Sequence, residues 1–355
     1  MQRWDGIEAI PAGLDASVVT IGNFDGVHRG HGAVLEAAVN VAREAGAMAV
    51  ALTFHPHPAQ VHRPEAAPEL LTGLSDKLDL LAEHGLDATL VIDYTLDFAA
   101  QDASTFVQRY LVDALKARAV VVGADVRFGR GNSGDRTTMT GLGHRHGFDV
   151  HVVHDVADPG ERRWSSTWVR ELLAAGNVEA ATEVLGRPHR MRGVVVRGHA
   201  RGRDLGFPTA NLDADASGAV PADGVYAGWL LRRPGTETGE RMPAAISVGT
   251  NPTFDGLVRQ VEAHVLGRWD LELYGEEVVV EFSHLLRPTG GSRGSTPWYA
   301  RCSRMCAMPP SGWTCPNRTT PPRSRCGPGH PEPPVVWITM IRRRHLGHHR
   351  RWVLG

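Results

Sequence analysis

With 355 residues the chain is long enough for two ordinary domains, and its 42% hydrophobic and 22% charged content is that of a globular protein. The formal net charge of −1 hides an asymmetry: residues 290–355 carry eleven Arg, no Lys and one acid, Glu332, so the remainder is close to −11. That acidic body argues against a nucleic-acid-binding domain, and no run approaches the ~18 apolar residues of a membrane span. All four cysteines, Cys302, Cys306, Cys315 and Cys326, lie in the basic tail, so the body has no disulfide framework. Met1 to Leu14 lacks the basic-then-apolar pattern of a secretory signal, and the expected location is the cytoplasm.

The apolar run Ser17 to Ile21 reads as a strand that opens into Gly22-Asn23-Phe24-Asp25-Gly26-Val27-His28-Arg29-Gly30-His31. A helical pattern follows, with Leu35, Ala38, Val39 and Ala42 on one face and Gly46 as its stop. Strand, tight turn and helix place His28 and His31 at a helix N-terminus, where free backbone N–H groups favour phosphate. The segment lacks the Gly-Lys-Ser/Thr ending of a P-loop and is not a dinucleotide fingerprint. Two imidazoles flanking a glycine there can stabilise charge on a phosphate under in-line attack.

Ala47 to Phe54 reads as a buried parallel strand ending in the rigid loop His55-Pro56-His57-Pro58, which shapes a substrate pocket. A helix runs from Leu71-Thr72 through Lys77 to Glu83, and Ala88 to Ile92 is the next strand. Ser104 to Lys116 has the spacing of an amphipathic helix. Ala119 to Val122 is a further strand, opening into a glycine-rich loop that carries Asp125 and Arg127. After a last strand, Asp149 to Val153, Ser165-Ser166-Thr167-Trp168-Val169-Arg170 begins a helix that ends at Gly176. Its hydroxyls can cap N–H groups or hold phosphate oxygens, with Arg170 one turn on. Alternating strands and helices imply a parallel, Rossmann-like α/β sheet.

Beyond Gly186-Arg187-Pro188 helical periodicity fades. Short apolar runs at Arg192–Arg197, Gly224–Leu231, Ala244–Gly249, Gln260–Leu266 and Glu277–Phe282, separated by Gly and Pro turns, predict an antiparallel β-barrel. Between the first two runs lies a loop with Gly198 and Gly206, ending in Pro208-Thr209-Ala210-Asn211. Its glycines and arginines suit phosphates, and Thr209 and Asn211 share one face of an extended segment where their oxygens suit Mg²⁺. Glu262 lies within an apolar strand, where a carboxylate is costly unless paired or used.

These strings resemble those of bacterial bifunctional riboflavin kinase/FAD synthetases over residues 4–289. The decapeptide at 22–31 resembles the H-x-G-H element of the α/β nucleotidyltransferases, Thr53 to Pro58 the T-F-x-P-H-P segment and Ser165 to Arg170 the I-S-S-T-x-I-R motif. Val122 to Gly129 is similar to V-G-x-D-F-R-F-G, with Val126 in place of Phe, and residues 208–211 match the P-T-A-N of riboflavin kinases. The resemblance implies phosphorylation of riboflavin to FMN, then adenylylation of FMN to FAD with release of pyrophosphate. It makes His28, His31, Ser166, Thr167 and Arg170 the adenylyl-transfer residues and Glu262 the base that takes the ribityl hydroxyl proton. Gly22, Asn23, Phe24, Asp25, Gly26, Asp125 and Arg127 would bind substrate in the first domain. Gly198, Gly206, Thr209 and Asn211 would hold ATP in the second, the last two also Mg²⁺. The expected partners are ATP, riboflavin and FMN, with neither nucleic acid nor membrane required and self-association compatible.

The domains would be 1–186 for adenylyl transfer and 187–289 for the kinase barrel. Residues 290–355 form a tail rich in Arg, Pro, Gly and Ser, whose ten prolines and lack of periodicity predict disorder. That composition suggests a frameshifted reading of a GC-rich gene, which would leave adenylyl transfer as the surviving activity. Cysteine gaps of three, eight and ten residues lack the paired knuckles of a zinc site. Two other readings are weaker: a cytidylyl- or pantetheine-type nucleotidyltransferase, opposed by the barrel, and RNA binding by the tail, opposed by the acidic body.

Overall fold

A computed structural model describes residues 1–154, 162–197, 209–234, 236, 238–253 and 256–288. Six strands form a parallel sheet: β1 (Gln2–Asp5), β2 (Ser17–Ile21), β3 (Met48–His55), β4 (Ala88–Asp93), β5 (Ala117–Gly123) and β6 (Asp149–Val153). Their spatial order is β1-β4-β3-β2-β5-β6. The chain winds outward from β2 through β3 to β4, then returns to set β5 against the other side of β2. The strand order therefore reverses between β2 and β5, and in open α/β sheets ligands bind outside the carboxyl ends at such a point. The loop with His28 leaves β2 there, and the loop with Asp125 leaves β5.

The helix after β2, Arg29–Ala45, buries Leu35, Ala38, Val39 and Ala42 against the sheet and is closed by Gly46 at φ 60°. The predicted Ser104–Lys116 helix differs in detail. A short α-turn, Ala103–Phe106, widens into π geometry over Val107–Ala114, with Leu115 N–H reaching Tyr110 O at 3.0 Å.

Six antiparallel strands close the barrel in the order β10-β11-β8-β7-β12-β9: β7 (His189–Val196), β8 (Ala210–Leu212), β9 (Gly224–Arg232), β10 (Glu240–Thr253), β11 (Gly256–Val265) and β12 (Glu277–Pro288). The three-residue β8 is too short for an alternation pattern, and β12 runs on past Phe282 only through two register shifts. The α/β sheet and antiparallel barrel are thus both present, as the sequence implies.

Two helices after the sheet, Ser166–Ala174 and Val178–Leu185, share the barrel's core. Their Val169, Leu173, Ala181 and Leu185 pack in one apolar cluster with Met191, Tyr226, Ile246 and Phe282. Arg190 and Arg192 of β7 meet the buried carboxylate of Asp76, on the Leu74–Glu83 helix, at 3.1 and 3.3 Å. Residues 198–208 and 289–355, with Gly198, Gly206, the cysteines and the basic tail, lie outside the described residues.

Candidate active sites

The turn after β2 is strained. Phe24, Gly26 and Val27 all have positive φ, at 48°, 81° and 38°. Non-glycine residues in this region cost about 1–3 kcal/mol each and persist only where the surroundings hold them. Phe24 and Val27 are anchored by burial in the sheet core. Gly26 has no alternative, because a Cβ there would come within 2.7 Å of Leu71 Cδ1. Asp25, also in the turn, accepts from the Leu71 and Thr72 N–H groups at 2.9 and 3.2 Å and pairs with the Arg170 guanidinium. Burial raises its carboxyl pKa, and Arg170 and the two amides act against that rise. Asp25 and Arg170, both expected at the substrate, are spent on each other here; Arg170 Nε also donates to Glu69 O at 2.7 Å.

His28 and His31 stand at the start of the Arg29–Ala45 helix with rings stacked, centroids 3.7 Å apart. His28 Nδ1 accepts from the His31 N–H at 3.3 Å, so neutral His28 carries its proton on Nε2. Burial, then Arg163 and Arg187, push the His28 pKa down to about 4 against the opposing effect of Asp125. Burial and the His28 neighbour hold His31 well below its ordinary value too. Both imidazoles are therefore neutral near pH 7. His31 Nδ1 is buried and has no hydrogen-bond partner among the described residues.

Facing them is the N-terminus of the Ser166–Ala174 helix. Ser165 caps it by accepting from Trp168 N–H at 3.2 Å, and the Ser166 hydroxyl donates to Asp25 O at 2.8 Å. Gly22, Asn23, Phe24, His28 and His31 line one cavity of about 470 Å³ together with Asp125, Arg127, Ser166 and Thr167. Asp25, Gly26 and Arg170 are not among the residues that line it. A second cavity, about 760 Å³, shares Asn23 and Asn132 with the first and is bordered by His57, His62 and Tyr94. His57 also caps a short helix, accepting from Ala59 N–H at 3.1 Å.

In the barrel, Asn211 of β8 lies directly opposite Glu262 of β11. Ala210, Leu212, Val261 and Ala263 point into the barrel core, so Asn211 and Glu262 share the other face. Asn211 is buried, and its amide donates to Thr209 Oγ1 at 3.2 Å while its oxygen accepts from Gln260 at 3.0 Å. This brings a hydroxyl, an amide oxygen and a carboxylate to one patch. Two neutral oxygens suit a cation that keeps most of its waters or substrate oxygens, as Mg²⁺ does. Among the described residues no group of three His, Cys, Asp or Glu is placed to hold a metal by itself.

Two family models match in tandem: FAD synthetase over residues 11–168 and riboflavin kinase over residues 185–291. The chain belongs to the bifunctional riboflavin kinase/FMN adenylyltransferase family. It is 37% identical to the Escherichia coli K12 protein of that name over 274 residues, 77% of this chain and 85% of the relative. The Haemophilus influenzae relative is 33% identical over 81% of this chain and 91% of its own length. The fold also matches a solved Streptococcus pneumoniae chain described as a macrolide-efflux protein, with TM-score 0.73 and 28% identity over 85% and 96% of the two chains. Among the described residues here, no helix is long and apolar enough to cross a membrane.

Against the family's motif residues, the structure adds three cations that sequence reasoning missed. Lys77 is buried, its Nζ 3.4 Å from Phe54 O and 3.5 Å from Thr53 Oγ1, and burial lowers its pKa to about 8 despite Asp25. Arg163 pairs with Asp125 at the cavity mouth. Arg187 donates to the carbonyls of Gly26 and Val27. Lys77 reads in sequence as an ordinary helix charge, and only the position of Arg163 beside the Ser-Ser-Thr string could have flagged it.

Proposed function

We propose that the protein uses ATP twice, to phosphorylate riboflavin and to adenylylate the FMN so formed, at two separate sites. The observation that carries the first site is the convergence of His28, His31 and the Ser166 helix N-terminus on one cavity at the reversal of the strand order. An FMN phosphate oxygen attacks the α-phosphorus of ATP; the bond from that phosphorus to the β-phosphate bridge breaks, and pyrophosphate leaves. Charge builds on the α-phosphate oxygens. The neutral His28 Nε2–H and the N–H groups of Ser166 and Thr167 at the helix start are donors held in place before it appears. His31 stacks against His28 and offers a ring nitrogen that has no hydrogen-bond partner among the described residues. Asn23, Asp125 and Arg127 border the nucleotide cavity, and the adjoining cavity with His57 and Tyr94 takes the flavin ring.

At the barrel site the 5′-hydroxyl of riboflavin attacks the γ-phosphorus of ATP, ADP leaves, and Glu262 takes the hydroxyl proton. Bound with ATP, Mg²⁺ neutralises phosphate charge, and Thr209 Oγ1 and Asn211 Oδ1 are the oxygens that would hold it. Residues 1–186 would carry the transferase and 187–289 the kinase. The proposed compartment is the cytoplasm, which supplies ATP and Mg²⁺, and neither nucleic acid nor a membrane enters the scheme. The test is to incubate purified protein with Mg-ATP and either riboflavin or FMN, then separate the flavins. FMN from riboflavin and FAD with pyrophosphate from FMN are expected; no flavin product from either would overturn the reading.

A further inference from the structure

Gly186-Arg187-Pro188 joins the helices to the barrel, and nothing in the reaction scheme above uses it. Yet Arg187 is turned back toward the first site. Its guanidinium Nη2 donates to Gly26 O at 2.6 Å and its Nη1 to Val27 O at 3.0 Å, across some 160 residues of sequence. These carbonyls belong to the two residues just before His28, at φ 81° and 38°. Such a turn is held only by what surrounds it, and a planar guanidinium fork matches two successive carbonyls as no other side chain does. The helix behind Arg187, Val178–Leu185, is fixed in the barrel's core, so the fork joins the histidine turn to the barrel.

We propose that Arg187 is a positioning residue for adenylyl transfer, clamping the Gly26-Val27 turn so that His28 and His31 meet the α-phosphate. This rests on the adenylyl-transfer reading above. The fork also sets charge. The groups facing His28 are Arg163, Arg187 and Asp125, with His31 stacked on its ring, and the two arginines disfavour its protonation. Geometry and charge can be separated by substitution: Arg187→Lys keeps the cation but cannot make two parallel bonds, whereas Arg187→Gln loses both.

The experiment measures FAD formation from FMN and Mg-ATP for wild type and both variants, with unfolding midpoints by circular dichroism and NMR titration of the His28 imidazole. The expected result is at least a tenfold fall in kcat for both variants, with KM for ATP within threefold. The His28 titration should move to higher pH in Arg187→Gln alone, because removing a neighbouring cation raises an imidazole pKa. Wild-type kcat in the folded Lys variant would overturn the proposal. So would a rise in KM with kcat unchanged, or a loss of activity that merely tracks the unfolding midpoint. Absence of FAD formation by the wild type would instead overturn the underlying functional reading.

Discussion

Asp25 and Arg170, 145 residues apart, form a nearly buried ion pair that fastens the histidine turn to the helix bearing Ser166. The Asp25 side chain is 4% exposed. Removing one partner of such a pair strands the other charge and costs about 3–5 kcal/mol. Arg170→Met should therefore lower stability by that amount in urea unfolding and abolish FAD formation. Adding Asp25→Asn should recover part of the stability, because the stranded charge goes. A single variant as stable as wild type would show that the pair holds nothing.

Gly26→Ala tests the strained turn. A methyl group would meet Leu71 Cδ1 at 2.7 Å, in a backbone region that L residues rarely adopt. A loss of about 1–3 kcal/mol is expected, and FAD formation should fall further than the unfolding midpoint alone explains. Thermal melts and initial rates measure the two effects side by side.

Protonation of buried histidines should set an acid limit on stability. His28 and His189 both titrate near pH 4, mainly through burial, against an ordinary value of 6.5. Depressed folded values favour the neutral ring, so this contribution is complete above pH 6.5 and is lost as pH falls toward 4. Each group contributes up to about 3 kcal/mol. His189 is the cleaner test, since its Nε2 bonds to Ala219 O at 2.7 Å and it has no part in the proposed chemistry. His189→Gln should flatten the fall in urea midpoint between pH 6.5 and 4; an unchanged slope would contradict the assignment.

The barrel site makes a separable prediction. Glu262→Gln keeps the shape of the side chain and loses the proposed base, so FMN formation from riboflavin should fall about 10²–10⁴-fold. FAD formation from supplied FMN should stay within twofold of wild type. Product analysis of the two reactions decides it.

How much of this was legible in sequence depends on the range of each signal. The strand-turn-helix at Ser17 to Gly46 could be read residue by residue, because glycines, apolar spacing and the helix stop are local. Strand β6 was also read to its ends. The edge strand Gln2–Asp5 escaped because its burial pattern has one inward residue, Trp4. The Arg136–His146 helix was missed because its sequence, rich in Thr, Gly and His, has a weak apolar stripe. At the site, the residue types were legible and their duties were not. Asp25 looks like a ligand-binding acid in a loop, and nothing local tells that Leu71, Thr72 and Arg170 use up its oxygens. The same holds for Lys77 and Arg187, whose partners come from other elements.

On the proposed scheme the two reactions run at separate sites, and His28 acts at the second step only. The most direct test follows flavins over time with riboflavin and Mg-ATP, comparing wild type with His28→Ala. Wild type should pass through FMN to FAD, whereas the variant should accumulate FMN and form at least a hundredfold less FAD. Undiminished FAD in the variant, or loss of FMN and FAD together, would contradict it.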